Sequence, residues 1–278
     1  MSLPRLRRIV AVRMVTQDID RLARFYGEAL GAHSVGKDIS IAANEAALLG
    51  VEGARRRRLS VRGFAVDLDR FDVAGRPYPA DADAADLRFQ HFAVIVRDAS
   101  AAFARAVACG ATLVSRGGPL TLPAASGGVT AVKLRDPEGH PFELLQFPAA
   151  TDNVWRDATP DGLGVLGIDH SAISVADAGR SRVFYAEAGL VARDATINRG
   201  ATQVALDGLP LEAVDVVPLF PPAGTPHLEL LGYHGVTRVQ AIDMHIADIA
   251  ATRLLWASDR AALVRDLDGH LHQTASTN

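Results

Sequence analysis

A fourfold internal repeat limits the folds open to this 278-residue chain more than any other feature. Residues 66–71, 142–147 and 228–233 read VDLDRF, FELLQF and LELLGY, each with an acid second, Leu third and an aromatic sixth. A fourth copy is marked by its turn, because RDLDGH at 265–270 repeats RDPEGH at 135–140 and places Gln273 where Glu143 stands. The chain is therefore expected to consist of four related modules.

The clearest copy of the repeat is a predicted hairpin in the second module. Val129–Leu134 alternates as a strand does, Asp136–Gly139 carries turn residues, and Pro141–Phe147 returns antiparallel. The alternation places Glu143 and Leu145 on one face of the return strand. A carboxylate within an apolar strand is costly unless a cation meets it, so Glu143 marks a candidate site.

The first three modules open in the same way, with an alternating strand followed by a helix. An aspartate is predicted to cap each helix and a glycine to end it, which gives the pairs Asp18/Gly31, Asp98/Gly110 and Asp177/Gly189. Three more strands complete each module, so the order is βαβββ. The predicted fold class is α+β, with four such modules of which the fourth is reduced.

Several finer elements are also predicted. Further strands are expected at His33–Val35, Ala46–Val51 and Leu59–Phe71, and in the third module at Val191–Ile197, Gln203–Leu206 and Glu212–Val217. The basic run Arg55–Arg58 is interpreted as a solvated hairpin turn or edge strand. The fourth module is reduced, with Val239–Ile246 as its opening strand, Asp248 as a helix cap and little room for a helix.

The modules lie near residues 5–74, 87–148, 165–235 and 238–278. Linkers rich in Pro, Gly and Asp separate them at Gly75–Asp86 and Pro148–Gly164. The sequence accordingly predicts two domains, residues 1–150 and 160–278, each with two modules.

Composition restricts the possible partners. The net charge of −3 gives no general affinity for polyanions, and no apolar run approaches the length of a membrane span. The single Cys109 excludes an internal disulfide and suits a reducing compartment. We expect a cytoplasmic monomer or homodimer that binds a small molecule and neither nucleic acid nor membrane.

Histidines recur at one repeat position. Aligned on Asp18, Asp98, Asp177 and Asp248, the residues seven positions earlier are Ala11, His91, His170 and Ala241. Modules two and three thus combine a histidine with a glutamate, Glu143 or Glu229, which is a common ligand set for Zn, Ni, Fe or Mn. The alternative is a pair of ordinary strand histidines. Asp243 or His245 could replace Ala241 as a ligand, and His140 and His270 are expected in turn or surface roles.

The chain resembles the vicinal oxygen chelate superfamily, which includes glyoxalase I, bleomycin resistance proteins and extradiol dioxygenases. The resemblance is carried by IVAVRMVTQDIDRLARFYGEALG, IDHSAISVADAGRSRVFYAEAGL, DPEGHPFELLQF and HLELLGY. It implies that the four modules pair into two cup-shaped mixed sheets. A divalent metal ion would lie on the floor of a cup, chelated by two neighbouring oxygens of the substrate. Matched by residue, the implied metal ligands are His91, Glu143, His170 and Glu229, with Asp67 and Gln273 as weaker counterparts. The glutamates Glu143 and Glu229 are the implied catalytic residues.

Three functions remain open at this point. The first is a metal-dependent lyase or isomerase of glyoxalase type, in which a metal-bound glutamate acts as base on a carbon acid. The second is an extradiol-type dioxygenase, whose resemblance implies two histidines and one glutamate on Fe(II) in the C-terminal modules. The third is a protein of bleomycin-resistance type that binds a small ligand without chemistry.

The pairing of modules decides whether the four ligands meet. Sequential pairing leaves each cup with one histidine and one glutamate as well as weaker positions. Pairing module two with three, and one with four, collects His91, Glu143, His170 and Glu229 in one cup. We favour the second arrangement, because isolated ligand pairs bind a divalent ion poorly and bury carboxylates without compensation.

Overall fold

A computed structural model describes residues 3–238 and 243–276. The α-helices are α1 (Ile19–Leu30), α2 (Ala43–Leu49), α3 (Ala99–Ala108), α4 (Ala178–Glu187) and α5 (Ala201–Asp207), with one 3₁₀ turn at Ala124–Ser126. No helix among these residues is long and apolar enough to cross a membrane.

The strands fall into the four modules. They are β1 (Arg8–Val15), β2 (His33–Ser34), β3 (Ile39–Ser40), β4 (Ala54–Val61), β5 (Phe64–Phe71), β6 (Gln90–Val96), β7 (Thr112–Leu113), β8 (Leu120–Thr121), β9 (Thr130–Arg135), β10 (Pro141–Gln146), β11 (Val165–Ser174), β12 (Val191–Ala192), β13 (Thr196–Asn198), β14 (Ala213–Phe220), β15 (His227–His234), β16 (Arg253–Ser258), β17 (Ala262–Arg265) and β18 (Leu271–Ser276).

These strands form two mixed sheets, as the α+β prediction requires. One has the order β17-β18-β16-β1-β5-β4-β2, with β3 beside β4. The other has the order β12-β14-β15-β11-β6-β10-β9-β7, with β13 beside β14 and β8 beside β9. The central antiparallel pairs are β1 with β16 and β6 with β11. Module two therefore pairs with three and module one with four, which confirms the favoured arrangement, and each sheet draws on both predicted domains.

The main hydrophobic core joins the two sheets. Helix α1 follows β1 of the smaller sheet, yet its aromatic side chains pack on the larger one. The Phe25 ring centre lies 5.9 Å from that of Phe142, and Tyr26 is 5.9 Å from Phe92. All four rings are buried, so α1 stabilises both sheets at once.

Two repeat-related contacts link the modules across the core. The Tyr26 hydroxyl donates to Asp136 over 2.7 Å, and Tyr185 donates to Asp266 over 2.7 Å. His140 and His270 follow those aspartates, and their Nε2 atoms bond the carbonyls of Val15 and Ser174 at 2.9 and 2.8 Å. Both histidines are 1% exposed, so the expected surface role is wrong, although each does close its turn.

Two predicted strands are helices. Ala46–Val51 falls mostly within α2, and Gln203–Leu206 lies within α5. Both segments are rich in Ala and Leu, which favour helix, and each helix ends at a left-handed glycine, Gly50 or Gly208. The short alternation of apolar residues was too brief to identify a strand.

The segment Leu59–Phe71 is a hairpin, not one strand. Arg62 and Gly63 adopt φ of 53° and 89° between β4 and β5, as the tight turn of a hairpin requires. The run Arg55–Arg58 lies within β4, so the interpretation as a hairpin turn or an edge strand is wrong. Arg55 and Arg58 are exposed as expected, whereas Arg56 is buried. β4 pairs with β5 on one side and with β2 and β3 on the other, and Arg56 is 5% exposed.

The predicted opening of module four is also wrong. Residues 239–242 of Val239–Ile246 lie outside the described residues, and 243–252 form turns and coil. The opening strand is β16, a fully buried segment that pairs with β1. Asp248 caps no helix and instead accepts two side-chain hydrogen bonds from Arg76. The described part of this module contains no helix between β16 and β17, as a reduced module should.

Candidate metal centre

Four neighbouring strands of the larger sheet carry the predicted ligands. Glu143 lies on β10, His91 on β6, His170 on β11 and Glu229 on β15. Glu143 pairs with Ala93 of β6, and His91 lies two residues before Ala93. In the same way, Glu229 pairs with Ala172 of β11, and His170 lies two residues before Ala172. Side chains two apart share a face of a strand. All four side chains therefore line the concave face of this sheet, which we call the His–Glu cup.

The ligand atoms of His91, Glu143 and His170 lie within 4.8 Å of one another, and Glu229 approaches this group beside His170. Glu143 Oε2 lies 3.5 Å from His91 Nε2 and 3.6 Å from His170 Nε2, and Glu229 Oε2 lies 3.7 Å from His170 Nε2. Ligands that surround one ion at about 2.1 Å are roughly 3.0–3.4 Å apart. The observed separations are slightly longer than hydrogen bonds and close to those of a coordination shell.

The histidines lack the hydrogen bonds that buried rings normally make. Among the described residues, no partner bonds either ring nitrogen of His91 or the Nε2 of His170, although these side chains are 2% and 6% exposed. Unpaired buried nitrogens are costly, and here they point at a carboxylate pair. A divalent cation would satisfy the Nε2 atoms of both histidines and both carboxylates, so the residues present fit a metal ion.

Electrostatics of the cup favour positive charge at its centre. Burial would raise the pKa of Glu143, but His170 and His91 outweigh it and hold that pKa below its usual range. Burial lowers the pKa of His91 to about 4, which leaves its nitrogens free to bind a cation. Burial also opposes charge on His170, yet Glu229, Asp169 and Glu143 raise the pKa of this residue well above normal. A proton or a metal ion can supply the charge that these carboxylates attract.

Asp169 orients the His170 ring through its Nδ1 atom. Its Oδ2 lies 3.1 Å from His170 Nδ1, and its Oδ1 accepts from the Trp155 indole over 2.6 Å. A carboxylate on the far nitrogen of a ligating histidine fixes the tautomer that leaves Nε2 free for metal. The sequence prediction missed Asp169, although its position next to His170 was the available signal.

His227 also lies in the cup, and the sequence assigned it no role. Its ring centre is 5.3 Å from that of His170 and stacks on Phe220 at 4.3 Å. Its Nδ1 is 4.0 Å from Asp169 and has no hydrogen-bond partner among the described residues. It thus offers a buried polar atom beside the ligand cluster.

The cup encloses a cavity of about 640 Å³, within the usual range for small-molecule sites. Its walls are largely apolar and come from both modules and the linker between them: Leu122, Val129, Leu145, Phe147, Trp155, Val216 and Phe220. The floor carries the four ligands, so a bound molecule would meet them at one end and apolar side chains around its body.

The equivalent positions of the smaller sheet carry a different set. Arg13 pairs with Asp67, and two residues before Arg13 stands Ala11. Leu255 pairs with Gln273, and two residues before Leu255 stands Arg253. The counterpart of His170 is therefore Arg253 and not Ala241, which lies outside the described residues; the alignment on Asp248 misplaced it. We call this concave face the arginine cup.

Guanidinium groups fill the arginine cup. Asp69 accepts from Arg56 at 2.6 and 2.8 Å and from the fully buried Arg253. Glu45 of α2 reaches in to bond Arg13 at 2.5 Å, Arg56 at 2.8 Å and Gln273 at 3.0 Å.

The weaker ligand candidates form hydrogen bonds or ion pairs with other side chains. Asp67 receives hydrogen bonds from Arg58 and Arg13, and Gln273 donates to Glu45. Asp243 pairs with Arg76 and its side chain is 81% exposed, whereas His245 lines a separate surface pocket with Asp248. The suggestion that either one replaces a ligand is wrong, because the strand that faces this cup is β16.

Comparison with known proteins agrees with this architecture. The family model for the glyoxalase-like domain matches residues 10–145, from β1 to β10. Glyoxalase I from Zea mays aligns over 97% of this chain and 92% of its own, with 17% identity and a TM-score of 0.59. A putative dioxygenase from Bacillus subtilis aligns over 99% of this chain and 86% of its own, with 11% identity and a TM-score of 0.56.

No curated protein sequence matches the chain. The structural matches have low identity and establish the fold alone. The glyoxalase-like domain match over residues 10–145, together with that fold, confirms the resemblance of this chain to the vicinal oxygen chelate superfamily.

Proposed function

We propose that the protein is a metal-dependent lyase or isomerase of glyoxalase type. Its substrate would be a small molecule that offers two neighbouring oxygens to a divalent ion in the His–Glu cup. The observation that carries this proposal is the buried cluster of His91, Glu143 and His170, whose ligand atoms all lie within 4.8 Å of one another, with Glu229 beside His170. The facing histidine nitrogens have no hydrogen-bond partner among the described residues. The ion, which could be Zn, Ni, Fe or Mn, would supply Lewis acidity toward those oxygens.

The two glutamates differ in how tightly they are held. Glu143 lies between both histidines, at 3.5 and 3.6 Å, whereas Glu229 approaches His170 alone at 3.7 Å. We assign Glu143 to metal binding, and Glu229 both to metal binding and to removing a proton from a carbon next to the substrate oxygens. A base needs freedom to move toward its proton, and Glu229 is the less restrained carboxylate.

Proton exchange tests this assignment. The metal-loaded protein should catalyse exchange of the carbon-bound proton of an α-hydroxyketone or hemithioacetal with deuterated water, and the metal-stripped protein should not. Glu229→Gln should abolish exchange. The matched control is Gln273→Ala, at the equivalent position of the arginine cup, which should leave exchange unchanged. Exchange that survives metal removal would refute the proposal.

A second candidate is an oxygenase. His91, His170 and Glu143 offer ligand atoms that all lie within 4.8 Å of one another. Two histidines and one carboxylate with open positions are typical of Fe(II) oxygenases. Oxygen consumption by the Fe(II)-loaded protein with catechols would favour this function. A protein that binds ligands without metal and catalyses neither reaction would belong to the third class, the non-catalytic binding proteins.

A further inference from the structure

The charges that line the His–Glu cup are unevenly distributed. Five carboxylates face the cavity: Asp152, Asp169, Asp194, Glu143 and Glu229. Among the described residues that line it, Lys133 is the only lysine or arginine. Arg193 lies nearby, with its guanidinium carbon 5.0 Å from the Phe220 ring centre, but it is not part of the lining.

Lys133 is already neutralised within the protein. It is 4% exposed, and its ammonium donates to Asp207 Oδ1 over 2.5 Å. Asp207 is held in turn by Gln203 at 2.7 Å and by the Tyr233 hydroxyl at 3.0 Å. An ammonium committed to a buried, oriented carboxylate has little attraction left for an anion in the cavity.

A metal ion and the neighbouring ion pairs do not offset all of the negative charge of the cavity. A divalent ion would be balanced by Glu143 and Glu229, and Asp152 is paired with Arg156 at 2.9 Å. Asp169 and Asp194 remain, so the cavity stays negative with the metal bound. In a partly buried site, bringing a further negative charge beside them is strongly unfavourable.

The apolar walls of the cavity also favour an uncharged ligand. Leu122, Val129, Leu145, Phe147 and Trp155 offer apolar surface. None of the described residues that line the cavity is an arginine, the side chain that forms paired hydrogen bonds to carboxylates or phosphates. The body of the ligand is thus expected to be apolar.

We infer that the His–Glu cup selects substrates whose only negative charge lies on the two oxygens that chelate the metal, and that it rejects substrates with an additional carboxylate or phosphate. This inference rests on the proposed function, since it takes a metal-chelating substrate as given. It narrows the substrate class to neutral, largely apolar molecules with vicinal oxygens.

A matched pair of probes tests the inference. 4-Methylcatechol and 3,4-dihydroxybenzoate offer the same two oxygens and differ in one substituent, a methyl group or a carboxylate. Their dissociation constants are measured by calorimetry on the metal-loaded protein at low salt. 4-Methylcatechol should bind at least about tenfold more tightly, and the difference should narrow as salt screens the carboxylates.

Variants identify the source of the discrimination. Asp207→Asn frees the Lys133 ammonium, so it should improve binding of 3,4-dihydroxybenzoate and reduce the ratio to about threefold or less. Asp194→Asn removes a rim carboxylate at a φ of 48°, which asparagine tolerates, and should also lower the ratio if Asp207→Asn fails to fold. Asp38→Asn, in the loop between β2 and β3 beside the other sheet, is the control and should preserve the ratio.

The outcomes separate this inference from the proposed function. If 3,4-dihydroxybenzoate binds the loaded protein as tightly as 4-methylcatechol, the charge selectivity is wrong while metal chelation stands. If neither probe binds the loaded protein, chelation in this cup fails, and the selectivity inference falls with it.

Discussion

Asp69 should be the most sensitive position of the arginine cup. It is fully buried and accepts hydrogen bonds from Arg56 at 2.6 and 2.8 Å and from Arg253. Arg253 is fully buried too, and its only other hydrogen bond among the described residues is a 3.5 Å contact with the Ala251 carbonyl. Asp69→Asn keeps the side-chain shape, removes the charge and leaves Arg253 without a carboxylate.

Removing one partner of a buried ion pair typically costs about 3–5 kcal/mol. We therefore expect Asp69→Asn to lower the free energy of unfolding by about that amount in urea titrations followed by circular dichroism. The control is Arg55→Gln on β4, whose side chain is 62% exposed and lies 3.8 Å from Asp38; it should cost less than about 1 kcal/mol.

A double variant separates loss of charge pairing from loss of packing. Adding Arg253→Met to Asp69→Asn removes the unpaired guanidinium and should recover part of the lost stability. A loss below about 1 kcal/mol for Asp69→Asn, or a further loss in the double variant, would refute the view that these charges depend on each other.

Three further outcomes are expected. Burial lowers the pKa of His272 to about 4, so His272 is neutral in the folded protein. The unfolded chain binds this proton more readily, so the unfolding free energy is highest above pH 6.5 and falls as the pH drops toward 4. The total loss is up to about 3 kcal/mol, at ~1.4 kcal/mol per pH unit. His272→Gln should flatten the dependence of unfolding free energy on pH in that range, and an unchanged slope would contradict the assignment. Asp169→Asn should weaken metal affinity about 10–100-fold in competition with a chelator, because it releases His170 Nδ1, whereas Trp155→Phe should have a smaller effect. Tyr26→Phe should cost about 1–3 kcal/mol of unfolding free energy by leaving the buried Asp136 with one hydrogen bond fewer, and a loss within 0.5 kcal/mol at ~25 °C would show that this contact between modules is dispensable.

The sequence predicted the His–Glu cup because its signals are local. Alternation along β10 decides which face Glu143 occupies, and the repeat transfers that result to Glu229. The pairing of modules two and three followed from the cost of buried carboxylates without a partner, and the strand order confirms it. The metal-ligand roles of these residues remain a prediction.

The missed features depend on contacts between distant segments. Asp69 and Arg253 are separated by 184 positions, and Lys133 and Asp207 by 74, so no short motif marks either pair. The described part of module four contains no helix with an aspartate cap. Aligning this module on Asp248 therefore missed Arg253 as the counterpart of His170. The burial of Arg56 within the run Arg55–Arg58 was missed because its carboxylate partners, Glu45 and Asp69, lie on other elements.

The central claim is that modules two and three build one metal site and that the arginine cup builds none. The most direct test is the metal content per chain of the purified, metal-reconstituted protein and of two single variants, His91→Ala and His170→Ala. One ion per chain is expected for the unmodified protein and for the Gln273→Ala control, with loss of the ion in both histidine variants. Two ions per chain, or an ion retained in either histidine variant, would contradict the claim.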